Sequence, residues 1–113
     1  MKEETSSRIL RTLPREKAFY FFTSIGNYTG ESASSFKEFM EKVNTVNVKS
    51  LEFHLSRGDF EKWTTEVLED KKLALDFWRL QRSMLQGNNL RSQLSLTVSR
   101  RYKELLAKPN ITM

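Results

Sequence analysis

The only histidine of this chain, His54, lies in the stretch Glu52-Phe53-His54-Leu55-Ser56-Arg57-Gly58-Asp59-Phe60-Glu61-Lys62-Trp63. These residue types could do acid–base chemistry. His54 would be the general base, Glu52 or Asp59 would orient it, and Arg57 would hold an anionic substrate. Each residue also has a structural use: Gly58 permits a helix to end, Asp59 caps the next helix, Arg57 pairs with a carboxylate or a helix end, and His54 fills a half-buried polar position. On a helix, Glu52 and His54 are two apart and do not face each other. The sequence has no cysteine, no second histidine and no G-x-S-x-G motif to complete a triad. The structural reading therefore outweighs the catalytic one. The expectation is a non-enzymatic protein with no catalytic residue, no metal site of the Cys/His type and no cofactor.

Gly26 and Gly30 precede a helix start, as in a phosphate-binding loop. However, three residues separate them, not four, and Glu31 stands where a lysine should follow. A plain loop with a serine cap is the simpler expectation.

These residues need elements to hold them. Residues 1–17 read as a flexible arm whose Ile9, Leu10 and Leu13 can dock on a partner or on the domain itself. Ala18–Ser24, rich in aromatics, reads as a buried strand, followed by a loop over 25–31. Ser34 or Ser35 caps a helix from Phe36 to about Val43, with Phe36, Phe39, Met40 and Val43 on one face. Leu51–Leu55 alternates like a strand, yet Val48, Leu51 and Leu55 also fit a helical face; the helix is favoured, ending at Gly58. A helix then runs to about Leu68 with Phe60, Trp63, Thr64 and Val67 on one side. Lys71–Gln86 carries Leu73, Phe77, Leu80 and Met84 on a stripe that Ala74, Trp78 and Leu85 widen. Gly87-Asn88 breaks the chain, Asn88 or Asn89 caps the last helix, and Leu90, Leu94, Val98, Tyr102 and Leu105 carry it to about Ala107, before Pro109. The fold class is mainly α, four to five helices in a small bundle with a short N-terminal β element. The arm is followed by a single helical domain over 18–108 and a tail over 109–113.

FYFFTSIGNYTG (Phe19–Gly30), SFKEFMEKV (Ser35–Val43), LEFHLSRGDFEKWTTEVLED (Leu51–Asp70) and NLRSQLSLTVSRRYKEL (Asn89–Leu105) together resemble a small, mostly archaeal family described only as a domain of unknown function. The resemblance covers nearly the whole chain from Phe19. It implies an intracellular, free-standing helical unit in which Phe53, His54, Arg57, Asp59, Phe60 and Trp63 act together. Arg91, Arg100, Arg101 and Tyr102 are its other motif positions. It supplies no activity and no catalytic residue.

Charge points elsewhere. Residues 1–70 hold ten Lys/Arg against twelve Asp/Glu, whereas 71–113 hold nine against two. The last third is a basic module on a nearly neutral one. Arg82, Arg91, Arg100, Arg101, Lys103 and Lys108 are the candidate binding residues, with Arg100, Arg101 and Lys103 projecting around the arc that the core stripe leaves free. The leading expectation is an interaction or accessory module that meets an acidic protein or a nucleic-acid backbone, with little sequence preference, since no base-reading signature is present. The alternatives are an enzyme or anionic-metabolite sensor built on His54, Arg57 and Asp59 under the 25–31 loop, and a structural homodimer that buries surplus aromatics such as Trp63, Phe77 and Trp78. Met1–Lys17 lacks the apolar centre of a signal peptide and no apolar run approaches a membrane span, so a cytoplasmic protein with no membrane partner is expected.

Overall fold

A computed structural model describes the backbone of residues 2–107 and the side chains from Ser6 onward. Lys108 and the 109–113 tail lie outside the described residues. The order is α1 (Lys2–Ile9), β1 (Phe19–Ser24), β2 (Asn27–Ala33), α2 (Phe36–Val43), α3 (Val48–Arg57), α4 (Asp59–Trp63), α5 (Lys71–Ser83) and α6 (Gly87–Ala107). The chain is mainly α with one small antiparallel sheet near its N-terminus. The described residues form six helices where four to five were expected, and α1 is one source of the excess.

The N-terminal segment differs from a flexible arm. Its first half is helical, and Ile9 and Leu13 are buried in the core. Arg11 donates to the Val67 carbonyl and Arg8 pairs with Glu69, so the segment docks on the domain itself. Of the two alternatives for Ile9, Leu10 and Leu13, a partner or the domain itself, the structure shows the second.

The expected loop over 25–31 is largely strand. Only Ile25 and Gly26 turn, with Gly26 at φ 81°, and β2 returns along β1 with Phe19 opposite Ala33 and Phe22 opposite Tyr28. The ladder is irregular between these pairs. There the Thr29 hydroxyl donates to the Phe21 carbonyl and accepts from the Glu31 N–H, restoring bonds the ladder loses.

Leu51–Leu55 is helical. Asn47 caps α3 by accepting from the Lys49 N–H, and Gly58 ends it at φ 78°, donating to the His54 and Leu55 carbonyls. After α4 the chain widens into a π-helical turn, Thr64–Leu68. The buried Thr64 hydroxyl donates to the Phe60 and Glu61 carbonyls, competing with the regular ladder. Asp70 then caps α5 by accepting from the Leu73 N–H.

Two expectations about α5 are corrected. The helix stops at Ser83, and Met84 turns to φ 65° with 84% of its surface exposed, so it leaves the core stripe. Trp78 does not widen that stripe; it is 42% exposed on the outer face. Nor does an asparagine start α6, which begins at Gly87.

The core is an aromatic cluster between sheet and helices. Phe19 packs on Phe21, Phe60 and Trp63 at 4.9, 5.2 and 5.5 Å between ring centroids, and Phe39 on Phe60 and Trp63 at 5.3 and 5.1 Å. Phe77 closes it from α5, and Leu90, Leu94, Val98 and Leu105 line it from α6. Each such burial contributes about 2–3 kcal/mol, and Leu51 and Leu55 bring α3 into the same cluster beside β1.

Candidate functional site: the histidine cluster and the outer helical faces

His54 is 4% exposed, one turn before the end of α3. Its Nε2 lies 2.8 Å from the Phe22 backbone nitrogen, which can only donate. Nε2 is therefore unprotonated, and the proton on Nδ1 is donated to Asp59 Oδ2 at 2.7 Å. The cause is the sheet. β1 pairs with β2 along one edge, and its other edge faces α3; there the Phe22 N–H needs an acceptor that no strand supplies. Burial among Phe19, Phe53 and Phe60 holds the imidazole below its ordinary pKa, although the Asp59 carboxylate pulls upward. The Arg57 charge adds to the lowering. Both ring nitrogens are engaged, so this histidine has no lone pair to offer a substrate in this geometry.

Asp59 does not cap α4, contrary to the sequence expectation. Gly58 stands at the cap position, no side chain bonds there, and the Asp59 carboxylate serves His54 and Arg57 instead, with Arg57 Nε at 3.3 Å. Arg57 also lies over the Phe53 ring at 4.9 Å. Phe60 and Trp63 are core residues, and Trp63 Nε1 donates to the Lys17 carbonyl. Glu52, the alternative partner for His54, instead accepts from the Gly87 N–H at 2.7 Å and so caps α6 from across the fold.

A cavity of about 330 Å³ opens beside this cluster, under the hairpin turn. Phe22, Phe53, Ile25 and Gly26 line it together with His54, Arg57 and Asp59. Sequence reasoning placed the polar residues under the 25–31 segment but missed Phe22, because it read the whole of Ala18–Ser24 as a buried strand, whereas Phe22 is only half-buried.

The basic candidates separate into two groups. Arg101 is 7% exposed and corrects the expectation that it projects to solvent. Its Nε and Nη2 meet Asp70 at 2.9 and 3.1 Å, and Nη1 meets Glu104. Desolvation opposes its charge, but the bonds to Asp70 and Glu104 outweigh it and hold the guanidinium above its ordinary pKa. Arg91 donates to the Val43 and Val46 carbonyls and so closes the C-terminal end of α2. Arg82, Arg100 and Lys103 are exposed. Lys108 lies outside the described residues.

Exposed cations also line α5. Lys71, Leu75, Trp78 and Arg82 recur at helical spacing on its outward side, with Lys72 and Arg79 flanking them, and all are exposed. Arg82 lies over the Trp78 ring at 5.0 Å. The sequence signal was a second stripe opposite the first, hidden when Trp78 was assigned to the core. Lys72 reaches Glu104, which sets the start of α5 beside the end of α6 and brings Arg100 and Lys103 within a turn of that contact.

No helix among the described residues is long and apolar enough to cross a membrane. No family model, no curated protein and no solved structure matches the chain.

Proposed function

We propose that this chain is a non-catalytic interaction module that meets a nucleic-acid backbone with the outward face of α5, extended by Arg100 and Lys103 of α6. The observation that carries this reading is the pairing of Arg82 with the half-exposed Trp78 ring, in a row that also holds Lys71 and Leu75. A cation-flanked aromatic gives a base a stacking surface while its phosphates meet charge. Phosphate contacts would set the affinity, so binding falls with salt and depends little on sequence. The engagement of both His54 nitrogens weighs against the enzyme reading. Membership of the mostly archaeal family belongs to the same proposal, since Phe53, His54, Arg57 and Asp59 meet as one cluster.

Fluorescence titration with single-stranded DNA and RNA at two salt concentrations tests it. The triple variant Lys71→Glu, Arg79→Glu, Arg82→Glu should lose binding at least tenfold, and Trp78→Ala should lose the tryptophan quench. The pair Arg100→Glu, Lys103→Glu should weaken binding less. Absence of binding at low salt, or concentration-dependent self-association abolished by Trp78→Ala, would sink the reading and assign this face to a protein or to a second copy.

A further inference from the structure

We propose that the cavity between the hairpin turn and the end of α3 binds an uncharged planar heteroaromatic ring carrying a carbonyl beside an N–H, the lactam edge of a nucleobase. This does not rest on the reading of α5. The argument starts from what lines the cavity. Phe22 and Phe53 are half-buried aromatics from β1 and α3, and both border the space. Ile25, at the turn, is 83% exposed and lines the same space, so a ligand would cover apolar surface that now meets water. At about 330 Å³ the cavity is near the small end of the range for ligand pockets, which suits one ring with its sugar.

The polar groups set the edge that fits. Arg57 is held from two sides, by Phe53 below its guanidinium and by Asp59 Oδ2 at Nε. Among the described residues no hydrogen bond engages its two terminal nitrogens, so they remain available as donors. Asp59 spends Oδ2 on His54 and Arg57, and Oδ1 has no hydrogen bond among the described residues. A donor pair and an acceptor oxygen therefore belong to residues that line the same cavity as Phe22 and Phe53. A lactam edge offers the complement, a carbonyl for Arg57 and an N–H for Asp59 Oδ1. The Arg57 charge is offset by Asp59, and His54 is neutral in this geometry. The wall thus has no net charge, which argues for an uncharged ring over an anionic metabolite.

The test is nuclear magnetic resonance titration of the full chain with uridine, following the Phe22 and Gly26 amides and the His54 ring. The expected result is saturable shifts at millimolar uridine or below. 3-Methyluridine, whose ring N–H is blocked, should bind about tenfold more weakly. Arg57→Gln should weaken uridine by a similar factor, and Arg57→Lys, which keeps a charge beside Asp59 but loses the fork, should do so as well. A uridine hexanucleotide separates the sources. Saturation of the same signals assigns the site to a base within a strand, and exclusion of the oligomer while uridine binds assigns it to a free nucleoside. The proposal is overturned if uridine gives no shifts up to its solubility limit, if 3-methyluridine binds equally well, or if both Arg57 variants bind as the parent does.

Discussion

Arg101 and Asp70 form a two-point ion pair, Nε to Oδ2 at 2.9 Å and Nη2 to Oδ1 at 3.1 Å, that joins the end of α6 to the cap of α5. Asp70 is 1% exposed, so removing either partner leaves a buried charge without its match. Arg101→Ala should cost about 3 kcal/mol in chemical denaturation. Arg100→Ala, one residue away and exposed, should cost about 0.5 kcal/mol or less. Equal, small losses from both would show that Arg101 is a surface residue after all.

His54 makes stability depend on pH. Its pKa is lowered on folding, chiefly by burial, so the unfolded chain takes up the proton first. The sign follows: the contribution is complete above the unfolded value of about 6.5 and is lost as the pH falls from there through the lower folded value. Protonation also removes the acceptor of the Phe22 N–H. Melting followed between about pH 5 and 7 should show a falling midpoint on the acid side. In His54→Phe that slope should flatten. A parent protein with no slope in this window would contradict the tautomer assigned here.

Glu52 caps α6 although it lies 35 positions before Gly87. Glu52→Ala should lower stability by about 1 kcal/mol, the usual loss for a cap. Glu52→Gln should recover part of it, because the amide oxygen still accepts. Denaturant midpoints decide the matter, and no change in either variant would remove Glu52 from this role.

Gly58 sits at φ 78°, and a methyl group built on it would meet nothing within 4 Å. The cost of Gly58→Ala is therefore conformational alone, about 1 kcal/mol. Gly58→Asn, which tolerates this backbone better, should cost less. Calorimetric melting of the two variants ranks them, and an alanine variant as stable as the parent would refute the assignment.

Ile9 is 1% exposed, although the sequence places it in an arm. Ile9→Ala should cost about 2–5 kcal/mol, as for any buried aliphatic residue cut back to its β-carbon. A loss below about 0.5 kcal/mol would restore the picture of a free arm.

How much was legible depended on how local the cause was. Periodicity placed α2, α5 and α6 to within a few residues, since a helix facing a core must repeat apolar residues every three or four positions. Ser35 and Gly58 were readable because a helix end needs a hydroxyl or a left-handed turn within its own few residues. The motif cluster around His54 was visible as a run of unusual types.

Partners were not visible, because polar groups bond to whatever the fold brings near. Asp59 reads as a cap from its place after Gly58, yet the tertiary structure gives its carboxylate to His54 and Arg57. His54 reads as a half-buried polar position with no named partner, and only the tertiary structure gives its Nε2 to the unpaired edge of β1. Arg100 and Arg101 are the same residue type side by side, and only the turn of α6 against Asp70 decides which is buried in an ion pair and which meets solvent. The sequence by itself determined the mainly helical class, the core faces of the helices apart from Met84 and Trp78 of the α5 stripe, and the basic last third. The tertiary structure decided which charges remain exposed, because burial and long-range pairing depend on distances that no local spacing encodes.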